Sequence, residues 1–228
     1  MQDEILKHSN KIFKTMRTKN HSFGEKVKEI VIEICIIVFA VSFSIWLHSL
    51  SEHNHQQSEV KVFLSDLKND LKKDIKYLSE EKTKLTESKK GLQKILALTT
   101  KQMDSIGKIE IDFFLTTRRT NDANYEGFKS SGKIGYIENI ELKSKILSFY
   151  QTDMQPLSDL EKSLNNQKID LVELVGANNF EASSFAKPLI KTKILICNGG
   201  TNSLIKAYEE NIKTANEIIK SIKQETEK

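Results

Sequence analysis

The longest apolar run in this 228-residue chain is Glu29–Leu50, with the sequence EIVIEICIIVFAVSFSIWLHSL. Its fourteen residues from Ile34 to Leu47 carry no charge, and most of them are Ile, Val or Phe. A helix of about 20 residues is roughly 30 Å long, which is the thickness of the hydrocarbon core of a bilayer. The run therefore predicts a transmembrane helix over residues 29–50.

A cleaved signal peptide is the alternative explanation of this run, because it also places a basic segment before an apolar one. The usual signal has a short basic front and an apolar centre of 7–15 residues. Here the basic front reaches residue 29, and the small-residue site at Ser49-Leu-Ser51 is a poor cleavage site. The pattern favours a permanent anchor over a cleaved signal followed by a secreted soluble bundle.

Flanking charge predicts the orientation of the anchor. Residues 1–29 carry seven Lys or Arg, whereas Ser51–Glu59 carries none. Because positive charge is retained on the cytoplasmic side, the N-terminus is expected in the cytoplasm and residues 51–228 outside it.

The basic tail, residues 1–28, is expected to touch the membrane surface. Within residues 3–17 the apolar side chains share one helical face, which predicts a short interfacial helix. The positions expected to contact anionic lipid of the inner leaflet are Lys7, Lys11, Lys14 and Arg17.

Glu33 is the one carboxylate between Ile30 and Leu50. A charge near the centre of a bilayer costs about 3 kcal/mol, and less toward an edge. The side chain either reaches back to the cytoplasmic interface beside Lys26 or Lys28, or contacts another membrane helix. Glu33 is therefore the candidate for pairing within the membrane.

The remaining residues, 51–228, are predicted to form an all-α, antiparallel helical bundle with a long first helix. Two prolines and nine glycines are few for this length, and Lys, Glu, Leu and Ile are abundant. Leucine recurs every seven residues, at Leu64, Leu71, Leu78, Leu85 and Leu92. A second apolar stripe fails at Lys82, Ser88 and Lys89, which favours a bundle helix over an autonomous coiled coil. Parallel oligomerisation through these leucines remains the alternative, and they are the candidates for association with a partner.

Local signals predict the later helices. Gly132 is expected to end a short helix in a left-handed conformation, with Ile134 and Ile137 packing back, and Asn139 is expected to cap the next helix. That helix is expected to bend near Pro156 and to end at Val175. Asn198-Gly-Gly is expected to end a short helix that contains Pro188, and Thr201 to cap the last one.

The composition of the chain argues against nucleic-acid binding and against the usual metal and catalytic sites. Beyond Leu50 there are 28 Lys or Arg and 26 Asp or Glu, so no basic face for nucleic acid is expected. No histidine follows His55, and the only cysteine there is Cys197. Zinc or copper sites, Glu-x-x-His di-iron pairs and a Ser–His–Asp triad are therefore not expected in the bundle. A non-catalytic protein without cofactor or metal is predicted; His53 and His55 are more simply an exposed polar hinge than a metal site.

A small-ligand site is the second possibility that the sequence raises. Helical bundles hold ligands between helices. Residues 109–118 are ambiguous between helix and strand, with helix preferred. The candidate site residues there and in the following turn are Phe113, Phe114, Arg118, Ser130, Ser131 and Gly132.

Four segments of the chain are distinctive: Ile12–Arg17 (IFKTMR), Ile32–Ile34 (IEI), Phe63–Leu71 (FLSDLKNDL) and Tyr125–Ile134 (YEGFKSSGKI). Together they resemble a family of uncharacterised single-pass membrane proteins that is frequent in the bacterial phylum Bacteroidota. The chain departs from the family at Ile32, where glycine is usual. The resemblance implies a bacterial inner-membrane protein with a periplasmic C-terminal domain, and it implies no activity.

Two functions are compatible with these features. The first is a membrane-anchored interaction or scaffold protein, with a protein partner or a second copy of itself. The second is a periplasmic small-molecule sensor, which would signal through a partner because the cytoplasmic tail is too small for an output domain.

Overall fold

The computed structural model describes residues 23–109, 114–116 and 121–227, together with Lys7 and Lys14. The described part is helical apart from short connections, and its one β-type contact is an isolated bridge between Lys108 and Glu181. This confirms the predicted all-α fold. The chain divides into two compact units, Met1–Ser58 and Glu59–Lys228. The predicted interfacial helix of residues 3–17 lies outside the described residues except for Lys7 and Lys14, which are exposed.

The first helix, α1, spans Phe23–Ala97 and contains the whole apolar run. An 18-residue window of this helix has a mean hydropathy of 2.6, and none of that window is buried. By length and composition the helix can cross a membrane, although a signal sequence would have the same properties. Residues 51–57, the polar segment after the apolar run, are helical as well.

The unit Glu59–Lys228 contains the C-terminal part of α1 and five further α-helices. They are α2 (Thr100–Ile106), α3 (Ala123–Ser130), α4 (Ile140–Ser148), α5 (Met154–Gly176) and α6 (Pro188–Thr226). Two 3₁₀ turns, Lys133–Tyr136 and Ala182–Ala186, and one π-helical segment, Phe149–Asp153, complete the described elements.

The long helices of this unit pack as an antiparallel bundle. Near one end Lys193 Nζ on α6 is 2.8 Å from Asp170 Oδ2 on α5, and farther along Tyr208 Oη donates to Glu161 Oε1 at 2.9 Å. Because the numbers rise along α6 while they fall along α5, the two helices are antiparallel. Lys82 on α1 reaches Glu209 on α6 at 3.4 Å, which places α1 beside α6.

The leucine repeat of α1 faces the interior of this bundle. All five residues, Leu64, Leu71, Leu78, Leu85 and Leu92, are buried in the chain's own core. The first four pack in a large cluster that contains Phe149 and Tyr208, whereas Leu92 packs at the other end with Val175 and Ile190. The expectation that these leucines contact a partner therefore has to be corrected, because the chain itself covers them.

The turn at Gly132 has the conformation that the sequence predicts. Gly132 has φ +77°, directly after the end of α3. Ile137 is buried and Ile134 packs against the same core, while the side chain of Asn139 accepts a hydrogen bond from the Leu142 N–H. The glycine is needed because a left-handed conformation strains any residue with a Cβ.

Gly132→Ala is expected to lower the free energy of unfolding by about 1–2 kcal/mol, which is the backbone cost of the left-handed conformation. Steric overlap does not contribute, since a Cβ at Gly132 has no atom within 4 Å. Gly135→Ala is the matched control: that position is equally open and has no positive φ. Urea unfolding followed by circular dichroism measures both; equal losses in the two variants would contradict the assignment.

The helix before Pro156 contains a π-helical segment, where the sequence predicted a bend. Phe149–Asp153 widens the helix by one residue, and the Met154 N–H donates to the Phe149 carbonyl. Proline has no N–H, and its ring crowds the carbonyl four residues earlier, so a helix normally has to adjust before it. The adjustment here is a π-bulge.

The expectation of a helix end at Asn198-Gly-Gly is wrong. Helix α6 continues from Pro188 to Thr226, and Pro188 occupies its first turn, where a missing N–H costs nothing. A Cβ on Gly200 would lie 2.6 Å from Gln167 Oε1 of α5, so glycine allows α5 and α6 to approach closely. Thr201, expected as a cap, instead donates from Oγ1 to the Cys197 carbonyl at 2.8 Å within the helix.

Candidate functional site

An acidic groove of the described bundle lies where α1, the start of α3 and the junction before α5 meet. Its volume is about 250 Å³, and it is lined by Asp74, Asp122, Glu126, Tyr150, Met154, Gln155 and Ser158. Three of these side chains are carboxylates, and none of the described lining residues is Lys or Arg.

Two hydrogen bonds between α1 and the start of α3 fix the acidic wall of this groove. Asn124 Nδ2 donates to Asp70 Oδ2, and Asn121 Nδ2 donates to Asp74 Oδ1, both at 2.6 Å. Asp122 lies between the two asparagines, at the N-cap position of α3, and its side chain makes no capping hydrogen bond. Asp122 is also one of the residues that line the groove.

Tyr150 lies against the carboxylates with its hydroxyl shielded from solvent. The residue is only 8% exposed, and its ring stacks on Tyr125 with a centroid distance of 4.2 Å. Among the described residues, Tyr150 Oη has no hydrogen-bond partner. Burial raises the pKa of Tyr150, and the carboxylates of Asp74, Asp70 and Asp122 raise it further. The hydroxyl thus keeps its proton and is an unused donor beside negative charge.

A buried tyrosine–carboxylate hydrogen bond lies deeper in the bundle, between α5 and α6. Tyr208 is fully buried and donates to Glu161 Oε1 at 2.9 Å. Burial raises the pKa of Tyr208, as do the charge of Glu161 and this hydrogen bond. The tyrosine remains neutral and serves as a donor to a carboxylate that is itself buried.

Replacing each of the two tyrosines by phenylalanine is expected to change the free energy of unfolding in opposite ways. Tyr208→Phe is expected to lower the free energy of unfolding by about 1–3 kcal/mol, because Glu161 loses a buried donor. Tyr150→Phe is expected to be neutral or stabilising, because it removes a buried hydroxyl without a partner. Denaturant unfolding of both variants checks this, and a larger loss for Tyr150→Phe than for Tyr208→Phe would contradict it.

The short described segment 114–116 is held on α5 by side chains. Lys168 Nζ donates to the Phe114 carbonyl at 2.8 Å and lies 4.1 Å from the centre of the Phe114 ring. Asn165 bonds the Thr116 backbone at both its N–H and its carbonyl, at 3.0 and 2.8 Å. These contacts fix the segment in place without regular secondary structure, so the helix preferred there is absent at these three residues.

The six residues of the predicted ligand site do not form one pocket in the described part of the chain. Phe113 and Arg118 lie outside the described residues. Phe114 packs on Lys168, as above, whereas Ser130 and Ser131 are exposed and donate to the Gly127 and Phe128 carbonyls near the end of α3. Gly132 shapes the turn that follows.

The other residues singled out by the sequence lie apart from the groove. Glu33 lies in α1 and is partly exposed, and its role in membrane pairing stays a prediction. Cys197 is a buried free thiol whose Sγ is 3.3 Å from the Gln167 carbonyl, and burial raises its pKa. This agrees with a structural thiol rather than an intermolecular bridge.

Sequence analysis missed the carboxylates at core-facing positions. Along α1 the buried positions Leu67, Leu71, Asp74, Leu78, Glu81 and Leu85 follow one another at spacings of four and three residues. Along α5 the same spacing joins Leu157, Glu161, Leu164, Lys168 and Leu171. A charged residue in such a stripe is the sequence signal that could have indicated these buried carboxylates. A bundle normally fills these positions with apolar side chains. The second stripe of α1 passes through Asp74 and Glu81, one position before Lys82, where the apolar pattern fails.

Comparison with known proteins gives a family and no activity. Residues 29–182 match a family of unknown function (DUF6090). No curated protein and no solved structure matches the chain. The matched range covers more than half of the chain and includes the apolar run and every residue of the groove. The chain therefore belongs to this family of unknown function, as the resemblance of its motifs to an uncharacterised family led us to expect.

Proposed function

We propose that this protein is a membrane-anchored helical-bundle interaction or scaffold subunit of the bacterial envelope. Residues 1–28 are the cytoplasmic tail, residues 29–50 cross the inner membrane, and residues 51–228 form a periplasmic bundle. The role is non-catalytic: the bundle holds a protein partner, or a second copy of the chain, at the membrane.

The exposure of the apolar run carries this proposal. Its side chains include Phe39 at 71% and Ile45 at 65% exposed, and nothing in the hydropathic window is buried. A core helix of a soluble protein would cover such residues with its own chain. Since contiguous apolar surface of this size is rare on soluble monomers, lipid is the cover that its length fits.

Charge supports the orientation. The seven Lys and Arg of residues 1–29 lie on one side of the run, and the following segment Ser51–Glu59 has none. Positive residues beside a membrane helix remain in the cytoplasm. Anionic lipid of the inner leaflet then attracts Lys7, Lys11, Lys14 and Arg17.

Exposed apolar side chains on the bundle support a protein contact. Leu189, Leu195 and Ile196 lie within the first three turns of α6 and are all exposed. The core of the same part of α6 is already filled by Ile190, Ile194 and Cys197. A protein partner that covers this face removes apolar area from water, which is the main driving force for association.

The test uses the full chain in its own host. Carbonate extraction of membranes is expected to leave the protein in the pellet. In a separate sample, protease treatment of intact spheroplasts is expected to digest the bundle and leave the tail protected. The intact mass distinguishes an anchor from a cleaved signal, since cleavage would remove about the first 50 residues. Protection of the bundle would contradict the orientation, and crosslinking that yields only monomer in native membranes would contradict the interaction role.

A further inference from the structure

The first half of α6, with the residue before it, carries only positive charge. Lys187–Tyr208 contains four lysines and no Asp or Glu. Lys193 is already paired with Asp170 of α5, at 2.8 Å. Lys187 and Lys191 are exposed, and in the described part of the chain neither is paired with a carboxylate. This stretch therefore presents uncompensated positive charge to solvent.

Exposed apolar side chains are mixed with these lysines on one face of the helix. The face consists of two rows of side chains at helical spacing, which are Lys187, Lys191 and Leu195, and Leu189, Lys193 and Ile196. Leu195 is 60% exposed and Leu189 is 58% exposed. We call these six residues, together with Gly199 one turn further on, the α6 face. It is both apolar and cationic.

Gly199 leaves the backbone of the α6 face open. Glycine is a weak helix former, so a glycine inside a 39-residue helix needs a packing reason. The neighbouring Gly200 has one, since it lies against Leu164 and Gln167 of α5. Gly199 is exposed, and a Cβ there has no atom within 4 Å, so the packing of the described chain gives no such reason. Glycine at this position allows the backbone of another helix to approach closely.

The charge pattern of the α6 face distinguishes three kinds of cover. A second copy docked through the same face would bring its own lysines against Lys187 and Lys191, and like charges repel. A lipid surface suits a helix whose charged and apolar sides are separate, whereas insertion of Leu195 would carry Lys191, one turn away, into the hydrocarbon. An acidic amphipathic helix suits the face, because its carboxylates meet the lysines while its apolar side chains cover Leu189, Leu195 and Ile196.

We propose that the α6 face docks an amphipathic helix of another protein, with Asp and Glu beside its apolar stripe. The docked helix crosses close to Gly199, and its carboxylates pair with Lys187 and Lys191. This inference rests on the proposed interaction role and deepens it, because it names the chemistry of the protein partner.

Photocrosslinking in the native host tests the α6 face on the full-length protein. The photoreactive residue p-benzoylphenylalanine replaces Leu195, or Val62 as the matched control, because Val62 is exposed on α1 outside this face. Irradiation is expected to join position 195, but not position 62, to another protein. Mass spectrometry of the digested adduct is expected to find a segment with apolar residues at helical spacing and an excess of Asp and Glu.

Variants of the face are combined with the crosslinker at position 195. The pair Lys187→Glu and Lys191→Glu is expected to lower the adduct yield about tenfold, because like charges then oppose each other at the interface. Lys213→Glu, at an exposed position of the same helix beyond the cationic stretch, should change the yield by less than about twofold. Gly199→Leu should also lower the yield about tenfold by filling the crossing point. It should not lower the thermal midpoint, since leucine is the better helix former and enters open space.

An acidic and apolar crosslinked segment, with these changes in yield, supports the proposal. Adducts with a second copy, with lipid or with a segment that lacks Asp and Glu would overturn it. Equal yields from the double charge reversal and from Lys213→Glu would overturn it as well; should the double variant fail to fold, Gly199→Leu decides alone. Absence of an adduct at position 195, while an amine-reactive crosslinker still gives complexes in native membranes, overturns the α6 face and leaves the interaction role standing. Monomer by both methods contradicts the interaction role itself.

Discussion

Val38→Lys is expected to release a large part of the protein from the membrane. Val38 lies in the middle of the apolar run and is 58% exposed in the described structure. A lysine at the centre of a membrane helix costs about 2.5–3.5 kcal/mol in insertion, which is roughly a hundredfold in an equilibrium constant. Carbonate extraction and sedimentation of the variant measure the fraction that remains membrane-bound.

Val62→Lys is the matched control for this experiment. Val62 is also on α1 and is 62% exposed, but it lies beyond the apolar run. The same substitution there should change neither extraction nor stability by more than about 0.5 kcal/mol. If Val38→Lys remained in the membrane as fully as Val62→Lys, the run would not be acting as a lipid-facing anchor.

Leu71→Ala is expected to lower the free energy of unfolding of the bundle by about 2–5 kcal/mol. Leu71 has no exposed area and packs within the large core cluster formed with α4, α5 and α6. Truncation removes buried methyl groups and leaves a cavity that the surrounding helices fill only in part. Urea unfolding monitored by circular dichroism gives the value.

The dependence of this result on protein concentration distinguishes the two roles considered for the leucine repeat. If Leu71 fills the chain's own core, the unfolding midpoint should be the same over a hundredfold range of concentration. A seam between copies would make the midpoint rise with concentration, since association stabilises by mass action. Val62→Ala, at an exposed position of the same helix, should have little effect on either quantity.

Locally encoded features of this fold were predictable from the sequence. The apolar run, the helical composition and the seven-residue repeat of leucine all follow from periodicity and residue type. The left-handed Gly132 and the Asn139 cap followed from turn chemistry that involves only neighbouring residues. The resemblance to an uncharacterised family rested on short motifs such as Tyr125–Ile134, and residues 29–182 match such a family.

The errors arose where a distant helix decided the conformation. Asn198-Gly-Gly looks like a helix end when it is considered alone, because glycine is a weak helix former. In the bundle Gly200 lies directly against Leu164 and Gln167 of α5, and packing against α5 keeps the helix intact. The leucine repeat likewise could not say whether another copy or the same chain covers it; burial of Leu64–Leu92 by the later helices answers that.

The sequence by itself determined that this protein is helical, carries one bilayer-length apolar segment and lacks histidine in its bundle. Only the tertiary structure placed Asp74 of α1, Asp122 before α3 and Tyr150 of the π-helical segment around one groove. These residues are far apart in the chain, and each is ordinary in its local context. Their chemistry comes from desolvation and from neighbouring charges, and those exist only once the helices have packed.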